Sequence, residues 1–443
     1  MFPGDLHDMK GQLGFADPPV GVKPPPQDRH RAKDLAVREA SAKLSLRHLS
    51  AFMAVVDCGR ISAAGDALRR SHSAIARSLE MLETRFGRPL LTRSRAGVAP
   101  TPAGLACDAR CRIIENELAS LRDLLERSGH AGLRGRQACL FRMQVDVSRL
   151  RALVSVHNLG SVQGAAHLLS VTQPAVSSSI RALETDLGVA LFVRTPRGMI
   201  PTPAGASVAM ASRRILSELR RIDDDIASLR GAPSGLVCIG GLAYSRNAVL
   251  PRAIKEVVGR FPQIVVRTVE GPLDSLLVAM HAGEVDVIIC ARPEAVMLEG
   301  VKVETLLRDR MKLFVSRDHP LAGRKAVPAG EVLDYPFILP PVGTVTRALL
   351  VSTFRAVAGR DPEGAVETSS YTIIRKLVME SRQICFRSVS EFSPEGEDVS
   401  IVPLDLAFDL PAREICLLQR KGAILTAAAA DALAVLRDVA RGH

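Results

Sequence analysis

Between Leu150 and Leu187, apolar residues recur at helical spacing in three short runs. The run from Leu150 to Leu159 ends at Gly160, which breaks it. The next carries Ala165, Ala166, Leu168 and Leu169, small enough in part to let a neighbouring helix approach closely. The third places Val176, Ile180, Leu183 and Leu187 at spacings of four, three and four, a single stripe for burial. Thr172 is placed to cap this helix. Pro174 is tolerated in its first turn, where a missing N–H leaves no partner wanting. Gln173, Ser177 and Arg181 share another face, beside Ser178. A polar, small and basic face suits a major groove: Gln and Arg read base edges, and Ser reaches bases or phosphates. After Gly188, "VALFVRTPRGMIPT" predicts a two-stranded wing with Arg194 and Arg197 toward phosphates. The periodicity alone also suits an ordinary amphipathic helix in a bundle.

The same pattern occurs earlier. A constant offset of 101 residues relates Gly59 to Gly160, Glu83 to Glu184 and Gly104 to Gly205. Over the 58 positions from Arg47 to Gly104 the register holds without a gap, with 20 identities that include "PTPAG" in both copies. So long a register indicates a duplicated domain rather than a short-period solenoid. The first copy keeps its apolar stripe in Ile75, Leu79, Leu82 and Phe86. Its polar face differs: His72, Ala76 and Glu80 replace Gln173, Ser177 and Arg181, and Ser73 stands in place of Pro174. Glu80 brings a carboxylate toward DNA phosphates, which is repulsive. Ser71, His72, Ser73, Arg77, Arg93 and Arg95 are its candidate DNA contacts. Two readings stay open for this copy: altered or non-specific DNA contact, and a purely structural role in dimerisation.

Each copy runs into a long helix. Ile114, Leu118, Leu121 and Leu125 repeat at four, three, four, and so do Ile215, Leu219, Ile222 and Ile226, followed by Leu229. These are coiled-coil seams. They can pair between chains or with each other, in which case one chain imitates a dimer. Between the copies, "SGHAGLRGRQACLFRMQ" reads as a tether.

From Gly235 the texture changes to alternating strands and helices: "GLVCIGGLA", "AVLPRAIKEVVGRF", "QIVVRTVEG", a helix through Leu276, then "GEVDVIICAR". This predicts a parallel sheet covered on both faces. Ligands of such sheets sit beyond the carboxyl ends of the strands, where helix N-termini hold anions. The candidates there are Tyr244, Ser245, Arg246 and Asn247 after the first strand, then Arg292. Thr344, Thr346 and Arg347 form a second group, and Ser369, Ser370 and Tyr371 a third. Each taken alone is equally a cap or a surface residue.

Charge and composition narrow this further. The formal net charge is +11 over 443 residues, compatible with a polyanion partner. Eight scattered cysteines with no C-x-x-C pair argue against zinc and a disulfide framework and suit a reducing compartment. No apolar run reaches membrane-spanning length. Residues 1–43, rich in proline and charge, read as a disordered tail. There is no P-loop, no G-x-G-x-x-G after a strand, no H-E-x-x-H and no G-x-S-x-G, so no enzyme is indicated.

The second copy resembles the DNA-binding domain of the LysR-type transcriptional regulators. The resemblance is carried by Ser161, Ala165, Ala166, Leu168, Leu169, Gln173, Pro174, Ala175, Ser177, Ile180, Leu183, Glu184, Leu187, Gly188, Leu191, Phe192, Arg194, Thr202, Ala204 and Gly205. It implies a winged helix-turn-helix with Gln173–Thr185 as recognition helix, contacting DNA through Thr172, Gln173, Pro174, Ala175, Ser177, Ser178 and Arg181. The C-terminal half resembles the effector-binding domain of the same family, two α/β lobes like a periplasmic binding protein with a small molecule between them. The implied architecture is a tail (1–43), a divergent winged helix-turn-helix (44–105) with its linker helix (106–130), a tether (131–147), a second winged helix-turn-helix (148–205) with its linker helix (206–231), and an effector domain (235–443). The implied protein is bacterial, cytoplasmic, homo-oligomeric and without a cofactor. Its partners are promoter DNA and a small effector. Arginines and hydroxyls favour a carboxylate or sugar-like effector. Where the family has a glycine-rich turn, this chain has "ESRQICFRS", and Arg382 or Arg387 is expected to narrow the cleft. Some members of the family sense peroxide, so thiol-based redox control through Cys238, Cys290 and Cys385 is the rival mechanism.

Overall fold

The computed structural model describes residues 44–94, 97–129, 138–229, 231–241, 249–392 and 400–442. The expected tail, Arg95, and the loop with Tyr244, Ser245, Arg246 and Asn247 lie outside the described residues, as does the side chain of Arg93.

The first copy comprises α1 (Leu46–Cys58), α2 (Ile61–Leu68), α3 (His72–Phe86), β1 (Leu91–Ser94), β2 (Gly97–Pro100) and the long α4 (Pro102–Arg127). The second repeats the order as α5 (Val147–Leu159), α6 (Val162–Leu169), α7 (Gln173–Leu187), β3 (Phe192–Thr195), β4 (Gly198–Pro201) and α8 (Pro203–Ser228). Each strand pair is antiparallel, the expected wing. The long helices start earlier than 106 and 206. Thr101 and Thr202 cap them, accepting the N–H of Gly104 and Gly205 at 3.0 and 2.9 Å. Part of the expected tether is folded: Leu140, Met143 and Val145 are buried, and Asp186 accepts the N–H groups of Cys139 and Leu140.

Many identities between the copies fall where the backbone demands them. Gly59 and Gly160 end the first helices at φ 65° and 60°, and their carbonyls accept from Val98 and Met199 of the wings. Glu83 and Glu184 accept the N–H of Leu90 and Leu191, each at 2.8 Å, fastening recognition helix to wing. A Cβ on Gly104 or Gly205 would lie 2.1 or 1.8 Å from the carbonyl oxygen of Leu90 or Leu191, so only glycine fits.

The two long helices pack on each other within the one chain. Ile114, Leu118, Leu121 and Leu125 of α4, with Ile215, Leu219, Ile222 and Ile226 of α8, are all buried in one continuous core. Burying such a side chain contributes about 1.5–3 kcal/mol. The helices run antiparallel: Arg110, early in α4, bonds Glu218 and Asp225, while Glu117, further along, bonds Arg214.

The C-terminal half contains β5 (Gly235–Gly241), α9 (Val249–Arg260), β6 (Ile264–Glu270), α10 (Leu273–His281), β7 (Val287–Ala291), β8 (Val301–Asp309), β9 (Met311–Ser316), α11 (Ala329–Val332), β10 (Phe337–Leu339), α12 (Val345–Ala358), β11 (Val366–Glu367), α13 (Tyr371–Glu380), β12 (Ile384–Ser388), α14 (Val389–Phe392), β13 (Ile401–Pro403), β14 (Arg413–Arg420) and α15 (Ala427–Arg441). Two five-stranded sheets form, ordered β6-β5-β7-β14-β8 and β11-β10-β12-β9-β13. The expectation of a parallel sheet holds for β5, β6 and β7, but β14 is antiparallel to β7 and β8. The chain passes from one lobe to the other between β8 and β9 and returns between β13 and β14, so β14 enters its sheet against the grain.

Candidate nucleic-acid interface and effector cleft

The recognition helix α7 buries Val176, Ile180, Leu183 and Leu187, the stripe read from the sequence. On its other side Gln173, Pro174, Ala175, Ser178 and Arg181 are exposed, and Ser177 is half-buried. Arg181 reaches back only to its own helix, Nε to the Ser177 carbonyl at 3.4 Å, so its guanidinium stays available to a partner. Thr172 occupies the N-cap position, but its hydroxyl makes no capping bond and is exposed; the expected cap is corrected. Arg194 and Arg197 are exposed on the wing.

The corresponding face of α3 carries exposed His72, Ser73, Arg77 and Glu80. Ser71 caps this helix, accepting the N–H of Ala74 at 3.2 Å. Beside it lies a depression lined by Arg47, His48, Arg70, Ser71 and Arg77 among others. Arg70 is fixed there, donating to the Ser78 hydroxyl at 2.9 Å and to the carbonyl of Ala74. Burial pushes the His48 imidazole below its usual value, and Arg70 and Arg47 push it further. Burial, and then Arg47 beside it, lower the Arg70 guanidinium as well, so a polyanion held here offsets the crowding of charge. Arg47 and Arg70 were missed in the sequence, since both lie outside the recognition helix and their convergence depends on the turn before α3.

In the effector half, the parallel strands β10, β11 and β12 end on the edge where the chain crosses between lobes. Ser388, at the end of β12, pairs with Met311 at the start of β9. The starts of α12 and α13 follow β10 and β11 on that edge. Thr344 caps α12 and Ser370 caps α13, each accepting from its own first turn. Arg347 donates to the Pro340 carbonyl, Ser369 gives its carbonyl to Arg387, and Tyr371 opens α13. Thr346 accepts from Arg413 at 2.8 Å. The candidates of this lobe therefore gather at one edge, while Arg292 stands on the other lobe, paired with Glu414 at 2.9 Å.

The crossover itself holds a buried knot that sequence reading missed. Arg413 bonds Asp309 at 2.8 Å, both about 5% exposed or less, and Ser388 donates to the same carboxylate. Both charges sit at strand ends, where the sequence suggests solvent. The expectation for "ESRQICFRS" is corrected in part: Ser381, Arg382 and Gln383 precede β12, at the end of that strand away from the crossover, so Arg382 does not narrow the cleft. Arg387 is buried near the crossover end.

The connecting helix α8 is fastened directly to the first lobe. Arg221 of α8 bonds Asp286 at 2.7 Å, and Asp286 also accepts the N–H of Cys238 in β5. Ser217 donates to the Gly283 carbonyl, and Arg213 pairs with Glu284 at 2.7 Å. Among the described residues there is no metal-binding cluster and no helix long and apolar enough to cross a membrane. Cys238, Cys290, Cys385 and Cys416 are buried thiols that form no disulfide, and burial pushes Cys290 up to about 12.

Known proteins show the same parts. The description "Bacterial regulatory helix-turn-helix protein, lysR family" matches twice, at residues 46–105 and 147–206, and "LysR substrate binding domain" matches 230–441. The HTH-type transcriptional regulator GalR of Pseudomonas putida is 31% identical over 395 residues, 89% of this chain and 97% of that protein, a span long enough to include both copies. The RuBisCO operon transcriptional regulator of Allochromatium vinosum is 27% identical over 302 residues, 68% of this chain and 99% of its own. The crystal structure of CbnR, a LysR family transcriptional regulator, shares the fold with a TM-score of 0.50 at 21% identity, covering 67% of this chain and 99% of that one. By these matches and by its own architecture, the chain belongs to the LysR family of transcriptional regulators and is not an enzyme.

Proposed function

We propose that this protein binds promoter DNA sequence-specifically in the bacterial cytoplasm, under the control of a small effector held between the two C-terminal lobes. The single observation that carries the DNA reading is the exposed set Gln173, Ser178 and Arg181 on a helix whose opposite stripe is wholly buried. Gln173 and Arg181 are base-edge readers, and Arg194 and Arg197 supply phosphate contacts. The effector reading is supported by the two helix starts and by Thr346 and Arg347 at the interlobe edge, chemistry that favours a carboxylate or sugar-like molecule. Closure of the second lobe on such a ligand pulls on the Arg413–Asp309 knot. The first lobe, fastened to α8 through Arg221 and Asp286, passes the change to the DNA-binding helices. The buried thiols give the redox alternative no reactive group among Cys238, Cys290, Cys385 and Cys416.

A nuclease footprint of the purified protein on the DNA upstream of its own gene tests the reading. Protection that sharpens or shifts with an added effector supports it. If a panel of organic acids and sugars changes neither the footprint nor the melting temperature, the effector part fails.

A further inference from the structure

We propose that the two copies of one chain bind a composite, non-palindromic DNA element, in which α7 reads one half-site at its base edges and α3 holds the adjoining half through its phosphates. This rests on the regulator reading above and adds the class of DNA.

The first support is that pairing favours unlike copies. Arg85 in the last turn of α3 bonds Asp223 of α8 at 2.7 Å. By the repeat offset, the first copy has Arg122 where the second has Asp223, and the second has Asp186 where the first has Arg85. Two first copies would therefore set Arg85 against Arg122, and two second copies would set Asp186 against Asp223. Both juxtapositions repel; only the mixed pair attracts. Arg110 points the same way. It is 1% exposed and bonds both Glu218 and Asp225. The second copy has Ala211 at the equivalent position, so a pair of second copies would leave the buried Glu218 and the half-buried Asp225 without Arg110. A covalent connection adds an effective concentration on the order of millimolar, which favours pairing within the chain.

The second support is the chemistry of the two faces. Two identical units around a twofold present identical recognition helices and require an inverted repeat. Here the pseudo-twofold relates Gln173 to His72 and Arg181 to Glu80. The second face offers bidentate readers. The first offers Arg47, Arg70 and Arg77 around a depression, with a carboxylate where a base reader would stand. Arg47 and Arg70 stand beside the helix rather than along its outer face, Arg77 borders the same depression from the position that Ser178 holds in the other copy, and backbone contacts from such a cluster carry no sequence information directly. If two chains assemble on one DNA, the whole composite element recurs, while the two grooves served by one chain remain unlike.

Selection of bound duplexes from a random pool by the full-length protein, followed by a hydroxyl-radical footprint on the enriched sequence, tests this. The expected motif has one information-bearing half-site, with no inverted copy about 10 base pairs away. Backbone protection is expected to extend across both half-sites. Arg77→Ala is expected to weaken binding to all sequences alike, lower the salt slope by about 1 and leave the motif unchanged. An inverted repeat of equal information one helical turn apart overturns the composite element but leaves the regulator reading standing. Protection confined to the information-bearing half-site also overturns it, by removing the role assigned to α3. No enrichment over the random pool overturns the regulator reading itself.

Discussion

Arg85 of the first recognition helix and Asp223 of the second connecting helix meet at 2.7 Å, 138 residues apart in sequence. This contact ties α3 of one copy to the connecting helix of the other. Exchanging the charge on one side, as Asp223→Arg, places two arginines together and is expected to loosen the pair. The doubly exchanged protein, with Arg85→Asp as well, restores the attraction. Melting temperature and mass in solution read this: the single variant should melt lower than the wild type, and the double variant should recover most of the difference.

Arg110 is the deepest charge in the helix pair, bonded to Glu218, Asp225 and the Ile424 carbonyl. Arg110→Ala takes from Glu218 one of its two arginine partners, leaving Arg221, and strips the half-buried Asp225 of its own. A loss of about 1.5–3 kcal/mol is expected, read by urea unfolding at neutral pH. A loss under about 1 kcal/mol would show that water reaches these acids.

Gly205→Ala forces a Cβ into the Leu191 carbonyl. The wing must shift, at a cost of about 1–3 kcal/mol. DNA affinity is expected to fall while effector-domain melting persists. Gly188→Ala, where a Cβ meets nothing within 4 Å, tests the left-handed backbone alone.

Burial pushes the Asp224 carboxyl up to about 7, with Asp223 and Asp225 adding to the effect against the opposing pull of Arg220. The folded value lies above the unfolded one. The resulting stability is therefore fully present below about pH 4 and is lost as pH rises through about 7. Asp224→Asn is expected to melt above the wild type at pH 8, with the difference shrinking toward pH 5. A difference independent of pH would show that Asp224 is already charged in the fold.

Native alkylation followed by mass spectrometry is expected to modify Cys58 and Cys139, which are exposed, and to spare Cys107, Cys111, Cys238, Cys290, Cys385 and Cys416 until unfolding. Rapid modification of Cys290 or Cys416 would reopen thiol-based control.

The repeat, the recognition helices and both wings were legible in the sequence because each rests on local rules: a 3.6-residue stripe and a glycine stop. The seams of α4 and α8 were legible as seams, but their partner was not. Ile114 and Ile215 carry the same pattern whether they meet each other or a second chain. The choice lies in charges such as Arg85 and Asp223, whose meaning appears only once the helices are antiparallel. The Arg413–Asp309 knot was hidden for a related reason. Its residues lie 104 apart and are joined only where the chain crosses between lobes twice. Thr344 and Ser370 show the converse: their positions were foreseen, yet their hydroxyls cap the helices they begin.

The central claim is that the second copy reads DNA and the first anchors it. Affinity for a selected duplex and for its scrambled counterpart, measured across a salt series for the wild type, Arg181→Ala and Glu80→Arg, tests this most directly. Binding should fall steeply with salt. Arg181→Ala should lose about 1–3 kcal/mol on the selected duplex and little on the scrambled one. Glu80→Arg should strengthen both alike. If Arg181→Ala changes nothing while Arg77→Ala abolishes the preference for the selected duplex, the roles of the two copies are reversed.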